Sequence, residues 1–295
     1  MARLLEGKPV AARIKEEVRR QVESLGRKPV LASVIVGENA GAQAYAKSQN
    51  KTAEALGIEY RLKQLPQDTS QDSLIAFIEQ LNSDPSVDGI IVQMPLPSSI
   101  DYKTISRFIC ADKDVEGMHP ANIGKIVFGT SASLSTDGER SRTIGKASLL
   151  PCTPAAVMEL LKETGVDLYG REVVVVGHSE IVGKPLALLL LDKFATVSVC
   201  HIGTSKAGKL EEHVKKAEIL IVAVGKAGLI KGEWIKPDAI VIDVGINKVG
   251  DKIVGDVEFE EAEKRASWIT PVPGGVGPLT VTMLMRNLVE AAKKT

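Results

Sequence analysis

Arg171-Glu172-Val173-Val174-Val175-Val176-Gly177-His178-Ser179-Glu180-Ile181-Val182-Gly183-Lys184-Pro185 is the stretch that decides the fold of this chain. Residues 171–177 carry the strongest strand signal in the sequence, a run of valines closed by glycine. Such a run suits a strand buried on both faces of a parallel sheet. GKPLALLLLDK, starting at Gly183, reads as a buried helix. The order is therefore strand, glycine, five residues, glycine, helix. It is not GxGxxG, so the standard dinucleotide fingerprint fails as written. Gly177 still permits a tight turn, and the helix N-terminus offers free N–H groups to a pyrophosphate. A plain βα turn is the alternative.

Outward from this turn the alternation continues. TVSVC (196–200), EILIVAVG (218–225) and AIVIDVGI (239–246) read as strands, and LEEHVKKA and GPLTVTMLMRNLVEAAKK as helices. TPAAVMELLKETG reads as a helix with Thr153 as N-cap and Pro154 at its first position. In the first half, residues 8–25, 41–58 and 70–82 read as helices, the second closed by Gly57. Residues 31–37, 59–65 and 87–97 read as strands. The expected class is α/β: two α/β lobes with a cleft, the second a Rossmann-type, doubly wound, mostly parallel sheet. Residues 129–148 break the pattern with Ser, Thr, Gly and charge, and read as an exposed loop or loose hairpin at a domain junction. The expected division is 1–148 plus 277–295 for one lobe and 149–276 for the other.

At 295 residues the chain is long enough for two domains with sizeable cores. Lys+Arg and Asp+Glu both number 37, so no excess positive field is available to hold a nucleic acid or an acidic membrane surface. Aromatics are only 4%, which argues against base-stacking platforms. Cys110, Cys152 and Cys200 are widely spaced, so neither a disulfide framework nor a zinc site is suggested. A reducing, cytoplasmic setting is the expectation. No run of apolar residues is long enough to span a membrane.

Ligands of a doubly wound sheet bind beyond the carboxyl ends of its strands. Those ends carry Gly177, Cys200-His201, Val224-Gly225 and Gly245-Ile246-Asn247. Thr270-Pro271-Val272-Pro273-Gly274-Gly275-Val276-Gly277-Pro278 is a shaped backbone loop or a rigid linker, with a cis proline possible. In the first half Tyr45 and Gln49 lie four residues apart on one helix and share a face. Gln93 ends a buried strand beside the turn Met94-Pro95-Leu96-Pro97. Lys113-Asp114-Val115-Glu116-Gly117 puts acids ahead of another turn. The histidines are scattered, so no metal is expected.

Taken in order, these segments resemble the methylenetetrahydrofolate dehydrogenase/methenyltetrahydrofolate cyclohydrolase family. VGENAGAQAYAKSQNKTAEALGI, DGIIVQMPLP, KDVEGMHPANIGK, LLPCTPAAVMELL, GREVVVVGHSEIVGKPLALLL and ITPVPGGVGPLTVTMLM carry the resemblance across nearly the whole chain. It implies oxidation of 5,10-methylenetetrahydrofolate by hydride transfer to NAD or NADP, hydrolysis of the methenyl product to 10-formyltetrahydrofolate, and a homodimer through the dinucleotide domains. It implies that Tyr45 stacks on the folate, that Gln93 sits at the reacting centre, and that Pro95, Pro271, Gly274 and Gly275 line the folate site. Gly177, His178, Ser179, Ile181 and Gly183 would form the dinucleotide turn, with His201, Ile202, Gly225, Gly245 and Ile246 around it.

The departures from the family pattern are informative. The family's catalytic lysine falls at Gln49, its pterin-holding aspartate at Glu116, and a serine ahead of the tyrosine at Ala42; Lys51 should face away. Glutamine can donate a hydrogen bond but cannot change protonation. Hydride transfer needs mainly the placement of two rings, whereas hydrolysis needs proton management. The expectation is a dehydrogenase whose cyclohydrolase step is weak or absent. The alternatives are the fully bifunctional enzyme and a non-catalytic folate- or nucleotide-binding module. The arginine and serine that hold the 2′-phosphate in NADP-using members fall at His178 and Ile202, with Glu180 in the turn. NAD is therefore expected over NADP.

Overall fold

The computed structural model describes residues 1–128 and 149–294; the loop or hairpin expected at 129–148 lies outside the described residues. The chain forms two compact units, Met1–Ala12 with Thr153–Thr280, and Arg13–Cys152 with Val281–Thr295. In chain order the strands are β1 (Arg3–Leu4), β2 (Val30–Val36), β3 (Glu59–Leu65), β4 (Gly89–Val92), β5 (Glu172–Val176), β6 (Thr196–Cys200), β7 (Ile219–Val222), β8 (Ile240–Asp243), β9 (Asn247–Val249), β10 (Lys252–Val254) and β11 (Trp268–Ile269).

The unit containing residues 13–152 holds a three-stranded parallel sheet, ordered β3-β2-β4. Its central strand, VLASVIV, is buried at every position. Val30, Ala32, Val34 and Val36 join Leu74 and Ile78 of the helix Gln71–Ser83 and Ile105 of the helix Tyr102–Phe108 in one apolar cluster. Alternation sends Leu31, Ser33 and Ile35 to the opposite face. Asp88 ties the strand entrance together. It accepts from Arg27 at 2.8 and 2.5 Å and from the Val30 N–H at 2.8 Å.

The other unit is a six-stranded parallel sheet, ordered β1-β11-β8-β7-β5-β6. From β5 the chain runs to β6 on one side, then returns to β7 on the other. The strand order therefore reverses between β5 and β7, the topological switch point of a Rossmann-type sheet. The valines of β5 are all buried, as are Leu186 and Leu190 of the helix Gly183–Leu191.

Three local expectations change. Residues 1–12, expected in the first lobe, belong with the six-stranded sheet, because β1 pairs in parallel with β11 through Arg3↔Trp268 and Leu4↔Ile269. A pairing across that sequence distance has no local signal. The final helix, Gly277–Ala292, passes from one unit to the other at Val281. The helix that follows residue 151 is Cys152–Glu163, so Thr153 lies inside it rather than capping it, and Pro154 is its third residue rather than its first.

Asp88→Ala leaves the Val30 N–H without its side-chain partner and the Arg27 guanidinium with only the Ala292 carbonyl. It should lower unfolding stability by about 1–3 kcal/mol, read as a lower urea midpoint at unchanged slope.

Candidate functional site

Two groups of polar residues stand out, one in each unit. In the six-stranded unit the parallel register puts Val176, Cys200, Val222 and Asp243 side by side, so the residues that follow them share one edge. That edge carries Gly177, His178, Ser179, His201, Ile202, Gly225, Gly245 and Ile246. The turn after β5 is shaped by two close approaches. Gly177 has φ +126°, and a Cβ there would stand 2.3 Å from the Ala223 carbonyl oxygen. A Cβ on Gly183 would stand 2.0 Å from the Gly177 carbonyl oxygen. Both positions therefore require glycine.

Ser179 Oγ accepts from the Val182 N–H at 3.1 Å, which folds the turn back toward the helix start. His178, Ser179, Ile181 and Ile202 are exposed around it, and the His178 and His201 rings stand 5.1 Å apart. Glu180 is paired with Lys184 at 3.5 Å, so its charge in the turn is partly answered.

Beneath this edge, Asp256 accepts from the N–H groups of Val224, Gly225 and Lys226 at 2.7–2.9 Å and from Asn247 at 2.8 Å. Asp243 accepts from Gly245, Asp256 and Val257. Burial raises the Asp243 carboxyl to about 6, against those hydrogen bonds. These two aspartates fix the loops holding Gly225, Gly245 and Ile246. In the same unit, Pro271, Gly274 and Gly275 lie in a turn with a cis Val272–Pro273 bond. The Gly274 carbonyl accepts from the Gly7 N–H at 2.8 Å.

In the three-stranded unit the helix Ala40–Ala55 buries Ala42, Ala46, Gln49 and Ala53. Lys47 and Lys51 are exposed. Gln49 is thus a polar residue on the apolar face, with no exposed surface. Its Oε1 accepts from Tyr60 Oη at 2.8 Å and from Gln93 Nε2 at 2.7 Å. Gln93, just past β4, also donates to Ser33 Oγ at 2.9 Å. Tyr45 is 39% exposed, and the Met94–Pro95 bond after Gln93 is cis. Burial near its hydroxyl, with Cys152 and Glu116 nearby, pushes Tyr45 above the usual phenol range, while Gln49 pulls it down.

Glu116 is half-buried and accepts from Tyr102 Oη at 3.1 Å. Its backbone is held by Asp114, which accepts from the His119 N–H and Asn122, and by Asn287, which donates to the carbonyls of Val115 and Leu150. Burial first, then the charge of Asp114, raise Glu116 from its ordinary 4.5 to about 7; the Tyr102 hydrogen bond opposes this. Tyr45, Gln49, Gln93 and Glu116 are thereby gathered in one unit by electrostatic and hydrogen-bond links. Among the described residues, no group of three or more His, Cys, Asp or Glu side chains could hold a metal ion.

Residues 5–116 match the family model for the catalytic domain of tetrahydrofolate dehydrogenase/cyclohydrolase, and residues 151–295 match its NAD(P)-binding domain. The chain is 47% identical to "Bifunctional protein FolD 2" of Geobacter metallireducens, covering 100% of this chain and 98% of the relative. The chain belongs to the tetrahydrofolate dehydrogenase/cyclohydrolase family. Among solved structures, the bifunctional FolD enzyme of Campylobacter jejuni superposes with a TM-score of 0.90 at 43% identity, covering 100% of this chain and 99% of that one. The Trypanosoma brucei FolD, complexed with NADP cofactor and inhibitor, gives 0.89 at 37% identity, covering 99% and 98%. This chain is accordingly an enzyme with an NAD(P)-binding domain.

The carboxyl edge of the six-stranded sheet suits such a cofactor. The Gly177 turn brings backbone close without side chains, and the helix after it starts at the switch point. Sequence reading missed Tyr60, Ser33 and Tyr102. Ser33 had a signal of its own, being the one hydroxyl in an otherwise apolar strand.

Ionising Glu116 opposes folding, because its folded pKa is raised. Its favourable contribution is complete below the ordinary value of 4.5 and is lost as pH rises to about 7. The melting-temperature advantage of Glu116→Gln over the parent should therefore widen between those two pH values and level off above. A pH-independent difference in calorimetry would contradict this.

Proposed function

We propose that this protein is a 5,10-methylenetetrahydrofolate dehydrogenase whose cyclohydrolase step is weak or absent. The observation that carries the reading is Gln49. The resemblance puts a catalytic lysine there, and this chain buries a neutral amide whose oxygen is already engaged by Tyr60 and Gln93. Hydride loss from the methylene carbon leaves a delocalised cation on the substrate. A neutral amide does not oppose that charge, whereas an ammonium would. Hydrolysis of the methenyl product needs a group that hands a proton to the departing nitrogen, and an amide cannot.

In this reading Tyr45 stacks on the folate ring and Gln93 holds Gln49 at the reacting centre. Glu116, Pro95, Pro271, Gly274 and Gly275 are further folate contacts. Gly177, His178, Ser179, Ile181 and Gly183 cradle the dinucleotide, with His201, Ile202, Gly225, Gly245 and Ile246 around it. Bound there, the nicotinamide supplies the hydride acceptor. The fully bifunctional enzyme is the second reading, favoured by the likeness to the bifunctional Geobacter relative. Glu116, raised to about 7, is a group that could then manage the proton.

The reading includes a homodimer through the dinucleotide domains, supported by the edge strand β6, where Val199 is exposed and Leu191 and Phe194 are exposed just ahead of it. It also includes a cytoplasmic location, supported by three free cysteines.

Two assays run in parallel test it: NAD(P) reduction with methylenetetrahydrofolate, and decay of methenyltetrahydrofolate absorbance. The first alone should be active. Hydrolysis well above the buffer rate restores the bifunctional enzyme, and silence in both with folate still bound indicates a binding module. Gln49→Lys should raise hydrolysis by about 100-fold, within the range of positioned acid–base catalysts.

The cofactor preference follows from His178 and Ile202, which offer no arginine-like fork to a 2′-phosphate. The Lys184 partner of Glu180 weakens the repulsion expected from that carboxylate. Turnover efficiency with NAD should exceed that with NADP by about tenfold, the scale of one missing charged hydrogen bond. Equal or better efficiency with NADP would overturn the preference.

A further inference from the structure

Four polar side chains meet on the face of the three-stranded sheet covered by the helix Ala40–Ala55. Ser33 comes from β2, Tyr60 from β3, Gln93 from the end of β4, and Gln49 from the helix. The register pairs Leu31 with Tyr60 and Ser33 with Ile91, so Tyr60, Ser33 and Gln93 point to one face. Ser33, Gln49 and Gln93 are all at least 98% buried, at 0%, 0% and 2% exposure.

In this structure the hydrogen bonds set the direction of the amide. Gln49 Oε1 has two acceptor positions, and both are filled, by Tyr60 Oη at 2.8 Å and Gln93 Nε2 at 2.7 Å. Gln93 Nε2 has two hydrogens, and both are engaged, on Gln49 Oε1 and on Ser33 Oγ at 2.9 Å. Turning the Gln49 amide over would set N–H against N–H at Gln93. Gln49 Nε2 lies on the other side, toward Tyr45, where it is buried and makes no hydrogen bond of normal length. Buried donors are nearly always answered.

We propose that Tyr60, with Ser33, is a positioning residue that locks Gln49 as a one-way hydrogen-bond donor to an acceptor atom, a carbonyl oxygen or a ring-nitrogen lone pair, of the folate substrate. This rests on the reading of the site as the folate site. Tyr60 acts through Gln49 and touches no substrate. Without its hydroxyl, one of the two groups that hold the Gln49 oxygen is gone. The amide then has another orientation open to it, and the donor is no longer fixed.

The test is a double-mutant cycle on the full-length enzyme, with Tyr60→Phe and Gln49→Leu alone and together. Binding of 5-formyltetrahydrofolate, which needs no turnover, is measured by calorimetry beside the steady-state kinetics. For Tyr60→Phe, the KM for methylenetetrahydrofolate and the Kd for 5-formyltetrahydrofolate should each rise about five- to tenfold, with kcat and the nucleotide KM within about twofold, the signature of lost uniform binding. In the Gln49→Leu background the same change should move KM by less than about twofold, because the partner it acts through is gone. Equal effects in both backgrounds, or a joint fall in kcat and rise in nucleotide KM, would mean a merely structural role and overturn the proposal.

Ser33→Ala guards against a Tyr60 variant that fails to fold. It should shift the folate KM in the same direction, and an unchanged KM there overturns the proposal as well. If the parent enzyme neither turns over methylenetetrahydrofolate nor binds 5-formyltetrahydrofolate, the folate reading fails and takes this proposal with it. If the parent does both and the cycle is additive, only this proposal fails.

Discussion

A parallel sheet covered on both faces leaves polar chemistry only two places. One is the carboxyl edge, where the chain leaves the strands. The other is any interior position where each polar atom finds a partner. Both units obey this constraint. In the six-stranded unit the valines of β5 occupy the interior, and the first polar side chains after it are those of His178 and Ser179. In the three-stranded unit polar side chains enter the interior as a bonded set, Ser33, Tyr60, Gln49 and Gln93, and the one fully buried atom the set leaves over is the Gln49 amide nitrogen.

The carboxyl edge of the larger sheet shows how backbone shape substitutes for side chains. Gly177 and Gly183 approach so closely that neither tolerates a Cβ, which makes the turn a bare cradle of backbone. Side chains stand only at the rim of that cradle, where His178, His201 and Ile202 are exposed. Asp243 and Asp256 lie below and accept mainly from backbone N–H groups, so they serve loop geometry rather than ligand chemistry. An acid at a strand end is thus not evidence of catalysis by itself.

Much of this was legible in the sequence because it is local. The valine run, the glycine turn, the α/β alternation and the shared face of Tyr45 and Gln49 all follow from periods of two and 3.6. What was not legible is non-local. The pairing of β1 with β11 joins residues at opposite ends of the chain. The short helices Tyr102–Phe108 and Pro120–Phe128 have too few turns for a clear period. Tyr60 in EYRLKQL looks like any strand aromatic until the register brings it to the face shared with Ser33, and only the folded helix shows that Gln49 meets it there. The resemblance identified position 49 as unusual; the fold shows that its neighbours are arranged around an amide.

That arrangement has an electrostatic consequence beyond position 49. Tyr45 stands between two groups, feeling the Gln49 amide on one hand and the Glu116 charge on the other. An ammonium at position 49 would place a positive charge in the same poorly solvated region and would favour the ionised form of Glu116. With an amide there, only the Tyr102 hydrogen bond offsets burial and the neighbouring charge of Asp114, and Glu116 rises to about 7. One neutral residue therefore does two things. It puts no proton carrier at position 49, and it supplies no positive charge to draw the raised Glu116 carboxyl down. The chain's zero net charge conceals both effects. A lysine restored at position 49 would act on the site twice, by its own proton chemistry and by drawing Glu116 back toward the ordinary carboxylate range.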